Sequence, residues 1–115
     1  MLDTQEFHNG LDIGANENTP VIAVKDAIIK EVGFSRTYGN YISYTTVDGY
    51  DIMYAHLNSS LVEIDDSVEA GDVLGLVGMT GLSTGFHLHY IIQKDGEYID
   101  PLTVVDLPLA QYLKN

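Results

Sequence analysis

Apolar residues fall along this chain in many short β-branched runs, broken by glycine, asparagine, aspartate and proline. Val21 to Val24 is a short strand candidate, and Ala27 to Phe34 a longer one. After the turn Tyr38-Gly39-Asn40, Tyr41, Ser43 and Thr45 alternate with Ile42, Tyr44 and Thr46. Asp48-Gly49 is a hairpin signal, and Tyr50 to Leu57 is expected to return as the antiparallel partner. A polar, acidic stretch from Asn58 to Glu69 precedes a glycine-framed strand from Ala70 to Gly78. Leu88, Tyr90, Ile91 and Ile92 mark one more strand, entered through the loop Met79 to Gly85 and closed by a second hairpin turn at Asp95-Gly96. Before the first strand, Phe7 to Gly14 reads as a glycine-containing loop and Asn16 to Pro20 as a turn. Only Leu102 to Leu113 offers short helical stretches, interrupted by Pro108.

This pattern predicts an all-β fold of mainly antiparallel sheet, a β-sandwich or barrel-like single domain with a short C-terminal helical segment. The length of 115 residues suits one domain, and 45% hydrophobic residues with eight tyrosines suit a packed core. Cysteine is absent, so disulfides and thiolate metal sites are excluded, and any metal must use histidine and carboxylate ligands. A net charge of −12 disfavours a nucleic-acid partner, because no basic patch exists to neutralise phosphates. No apolar run approaches the ~20 residues that span a bilayer. No export leader is visible, and the chain reads as an excised domain.

The four histidines concentrate the candidate chemistry. His87 and His89 lie two apart on a strand, where alternation sends both to one face and Leu88 to the other. Two imidazoles on one face suit a metal, or one ligand beside one acid–base group. His8 and Asp12 share the glycine-containing segment near the start, and His56 closes the strand Tyr50 to Leu57. Three protein ligands with one open position describe a catalytic zinc site. His8, Asp12 and one histidine of the 87/89 pair supply three. His56 and the other histidine remain as imidazoles for proton transfer or for stabilising a developing oxyanion. The His-Glu-x-x-His helix motif is absent.

In order along the chain, six blocks resemble the lysostaphin-like (LytM-type) zinc metallopeptidases. They are Phe7-His8-Asn9-Gly10-Leu11-Asp12-Ile13, Thr19-Pro20-Val21-Ile22-Ala23, Tyr38-Gly39-Asn40-Tyr41-Ile42, Tyr54-Ala55-His56-Leu57, Val68 to Gly81, and Ser83-Thr84-Gly85-Phe86-His87-Leu88-His89-Tyr90. The resemblance implies an antiparallel sheet with a narrow groove over one zinc ion per chain. It implies that His8, Asp12 and His89 bind zinc, with water in the fourth position. His87 would act as general base on that water, and His56 would help hold it or stabilise the oxyanion. It further implies peptides of bacterial peptidoglycan as substrate, either Gly-Gly crossbridges or D-amino-acid stem peptides, and a place outside the cell or in its envelope.

Three positions depart from the family pattern. Almost nothing precedes Phe7, where members usually carry a strand and loop that form a groove wall. Phe86 replaces a common proline, and Ile91 stands where an acidic residue often follows. None of these removes a ligand. The alternative function is a zinc-binding but non-hydrolytic interaction module of a cell-envelope or sporulation complex, with a regulatory or envelope protein as partner. The glycine spacing from Gly71 to Gly78 also resembles biotinyl or lipoyl carrier domains, but no modifiable-lysine motif surrounds Lys94.

Overall fold

In the computed structural model, residues 4–7, 10–79 and 87–99 are described, with side chains for 15–79 and 88–99. All regular structure among them is β, in ten strands. These are β1 (Thr4–Phe7), β2 (Gly10–Gly14), β3 (Pro20–Ile22), β4 (Ala27–Ser35), β5 (Gly39–Thr46), β6 (Asp51–Ser60), β7 (Ser67–Val68), β8 (Val73–Val77), β9 (His87–Lys94) and β10 (Glu97–Ile99). The main path runs β1-β2-β9-β6-β5-β4-β7, every pair antiparallel. β10 pairs with β9, while β8 pairs with both β6 and β3 and so carries β3 back over the sheet.

Both hairpin signals fold as the sequence predicts. Asp95 and Gly96 each take a positive φ, 54° and 82°. That is the two-residue turn whose twist matches the strands it joins, Lys94 opposite Glu97. At Asp48-Gly49 the Thr46 hydroxyl donates to Asp48, and the Tyr50 N–H donates back to the Thr46 hydroxyl.

Within the segment Phe7 to Gly14, expected as loop, Phe7 ends β1 and Gly10–Gly14 is β2, an inner strand of the sheet. The glycines there weaken local strand preference, but β2 gains ladders on both edges, from β1 and β9. A short strand within the acidic stretch, β7, also went unsignalled; it is held by pairing with Ala27 and Ile28. The expected C-terminal helical segment and most of the loop before His87 lie outside the described residues.

The core fills the space between the main sheet and the β3–β8 layer. Ile42, Tyr44, Ile52, Tyr54, Leu88, Tyr90 and Ile92 enter from the sheet and meet Val21, Leu74 and Val77 from the other side. β8 crosses so closely that a Cβ on Gly75 would stand 2.7 Å from the Ser59 carbonyl oxygen, which is why no side chain is tolerated there. Three core tyrosines pack edge to face, Tyr44 on Tyr54 and Tyr54 on Tyr90. Their hydroxyls serve a relay: the Val24 N–H donates to Tyr44, Tyr44 and Tyr54 share a hydrogen bond, and Tyr54 donates to the Ile22 carbonyl at 2.8 Å. Burial, the largest effect on each, pushes both hydroxyls well above the usual tyrosine range. The relay therefore ties two strands of the sheet to the segment that covers them.

Candidate metal centre on the outer face of β9 and β6

Because Leu88, Tyr90 and Ile92 point into the core, the intervening His89, Ile91 and Gln93 take the opposite face. The β6 register sets Ala55 opposite His89, Met53 opposite Ile91 and Asp51 opposite Gln93. On the other edge of β9, Asp12 stands opposite His89 and Gly14 opposite His87. Asp12 and His89, 77 positions apart in the chain, thus become direct neighbours across one ladder. Of the five expected site residues, His8 lies outside the described residues, and Asp12 and His87 are placed by their backbones alone.

His56 reaches this face through a bulge. Strict alternation after Ile52 and Tyr54 would send it into the core. Instead the β5–β6 register pairs Ile42 with Tyr54 and then Asn40 with Leu57, so one residue of β5 faces two of β6. His56 takes the extra position with φ of 64°, a left-handed conformation that costs a non-glycine residue about 1 kcal/mol. Its N–H donates to the Tyr38 carbonyl at 2.7 Å, outside the regular ladder. Leu57 then returns to the core, fully buried. The result is an imidazole pair, His56 and His89, with ring centroids 5.9 Å apart. Both are largely buried, at 8% and 7% exposure.

Two residues of the Tyr38-Gly39-Asn40 turn, to which the sequence assigned no role at the site, support this pair. The Tyr38 ring stacks on His89 at 6.0 Å with a 17° interplanar angle, so two rings, Tyr38 and His56, lie against His89. Asn40 donates its amide to the carbonyls of Leu57 (3.0 Å) and Asn58 (3.1 Å), fastening the chain just beyond the bulge. Gly39, between them, takes a φ of 65°. The block Tyr38-Gly39-Asn40 was the signal that could have found them, but its role depends on a strand 17 residues away.

The donor set fits a zinc ion. His89 supplies an imidazole and Asp12 stands opposite it across the ladder, a histidine and a carboxylate being ordinary zinc donors. Among the described residues no group of three metal-binding side chains closes. The other expected members, His8, Asp12 and His87, have no described side chains.

Residues 6–101 match peptidase family M23, and the chain belongs to that family. It is 38% identical over 104 residues to the DD-carboxypeptidase/endopeptidase Mpg of Neisseria meningitidis, an alignment covering 90% of this chain and 24% of that protein. Among solved structures, the catalytic domain of lysostaphin from Staphylococcus simulans superposes with a TM-score of 0.80 at 35% identity, covering 84% of this chain and 77% of that one. A zinc-containing peptidase from Vibrio cholerae gives a TM-score of 0.80 at 32% identity, covering 88% of this chain and 31% of that one. The chain spans about a quarter of the length of the curated relatives it matches.

Proposed function

We propose that this chain is a zinc metalloendopeptidase that hydrolyses peptide bonds of bacterial peptidoglycan, acting outside the cell or in its envelope. The observation that carries the reading is the convergence on one sheet face of His89, Asp12 opposite it in register, and His56 turned over by its bulge. The family match and the M23 relatives support the reaction class.

In this reading His8, Asp12 and His89 hold the metal. When bound, zinc supplies a Lewis acid that polarises the scissile carbonyl and lowers the pKa of an attacking water toward ~7. His87 takes the proton from that water and passes it to the leaving amine. His56 donates a ring N–H to the carbonyl oxygen as it gains charge. Burial of the His56–His89 pair keeps bulk water from screening these interactions. Tyr38 restricts the tilt of the His89 ring, and the bulge fixes His56 before substrate arrives. No helix among the described residues is long and apolar enough to cross a membrane.

Bound zinc per chain and peptide release from purified peptidoglycan, measured on one preparation, test the proposal. About one zinc per chain is expected, with release that a His87→Ala variant loses while keeping its zinc. Wild-type protein that holds zinc but releases no more than His87→Ala refutes hydrolysis and leaves a binding module. Protein that takes up no zinc refutes both.

A further inference from the structure

The sheet face that carries the histidines continues beyond them into a groove of about 430 Å³. Tyr38, which stacks on His89, also lines this groove, so site and groove are continuous. The strand registers explain what lies in it. Ile91 pairs with Met53, Met53 with Ser43, and Ser43 with Glu31, which makes one row across β9, β6, β5 and β4. This row lies one two-residue step, about 7 Å, from His89 and Ala55. Asp51, opposite Gln93, lies one step further, about 14 Å from them. An extended peptide has the same repeat. A chain laid along β6 with its scissile bond beside His89 therefore carries a side chain over Met53 and Ile91.

The composition of the row says what that side chain is. Met53 and Ile91 offer an apolar bed, while Glu31 and Asp51 bring two carboxylates against one ammonium, that of Lys30. Neither carboxylate is paired with a cation: among the described residues the ion pair is Lys25 with Asp48, outside the groove. Asp51 accepts one hydrogen bond, from the Thr45 hydroxyl at 2.8 Å, and both carboxylates are exposed to an incoming group. A long aliphatic side chain ending in an ammonium satisfies both parts, its methylenes on Met53 and its charge at the carboxylates. A polyglycine strand has no atoms to cover Met53 and no charge to meet Glu31 or Asp51.

The geometry points to this groove as the subsite for an amine-bearing arm of the substrate: a stem peptide with a diamino-acid side chain, in preference to a glycine bridge. The subsite rests on the peptidase reading, and its test separates the two. Binding of three probes to the zinc-loaded protein is measured by calorimetry: a synthetic stem tetrapeptide containing lysine, the same peptide acetylated on the lysine amine, and pentaglycine. The free amine form is expected to bind about five- to tenfold more tightly than the acetylated form, as two exposed carboxylates allow, with pentaglycine weakest. In a Glu31→Gln/Asp51→Asn variant that gap closes, because both amides keep the shape and lose the charge. Raising salt should narrow it in the wild type. Equal binding of free and acetylated peptides, an undiminished gap in the variant, or no measurable binding of any probe overturns the subsite. Hydrolysis of crosslinked peptides is scored in parallel: its absence refutes the peptidase reading, while the binding comparison still decides the subsite.

Discussion

Removing the Asn40 amide tests the link between fold and site. Asn40 donates to the carbonyls of Leu57 and Asn58 at 3.0 and 3.1 Å, and those residues follow the His56 bulge. A net 0.5–1.5 kcal/mol per hydrogen bond makes Asn40→Ala about 1–3 kcal/mol less stable, toward the upper end because Leu57 is fully buried. At about 2.1 cal/mol/K per residue of unfolding entropy, a domain of this size loses roughly 4 °C in Tm per kcal/mol, so the expected drop is about 4–12 °C. Asn40→Asp is the sharper variant. It keeps the shape, lacks the donor, and sets a carboxylate against two carbonyl oxygens, so it should be less stable than Asn40→Ala. Urea unfolding of the three proteins gives the order directly. Peptide release should fall in both variants with little change in bound zinc, because the slackened segment carries His56 and none of the three expected ligands. An Asn40→Asp protein as stable as wild type would refute the assignment of donor and acceptor and, with it, the account of how the bulge is held.

The bulge itself makes a second prediction. At a φ of 64°, His56→Gly should be about 1 kcal/mol more stable than His56→Ala, the reverse of the usual order in a strand, while neither releases peptide at the wild-type rate. Alanine proving the more stable in chemical unfolding would rule out the left-handed conformation. In the core, Tyr54→Phe leaves the Tyr44 hydroxyl without its acceptor and the Ile22 carbonyl without that donor, a loss of about 2–4 kcal/mol. The same pair sets an alkaline limit. Both hydroxyls are held above the ordinary tyrosine pKa, so the folded state keeps protons that the unfolded state releases. Their contribution is intact below about pH 10 and is lost above it, by roughly 1.4 kcal/mol per pH unit for each tyrosine. Unfolding free energies from pH 8 to 11 should show this slope in the wild type and a shallower one in a Tyr44→Phe/Tyr54→Phe variant; equal slopes would contradict the relay.

The sequence by itself determined the all-β class, the two hairpins and the identity of the histidines, because these rest on information local to a few residues. Alternation along Tyr41 to Leu57 is visible in the side chains themselves, and the Asp-Gly pairs carry their own turn geometry. The order of the six blocks sufficed for the family. What the tertiary structure alone decided was where each group stands. Gly10 to Gly14 has weak strand preference, and only ladders to β1 and β9 turn it into the strand that sets Asp12 opposite His89. Period two places His56 in the core, and a single extra residue in the β5–β6 register moves it to the face of His89. Tyr38 and Asn40 looked like turn residues because their partners, His56, Leu57 and His89, are distant in the chain. Register is a property of pairs of strands, and a shift of one residue inverts a face. So the candidate pair His87 and His89 can be read from its spacing alone, whereas which residues of other strands stand beside it depends on register.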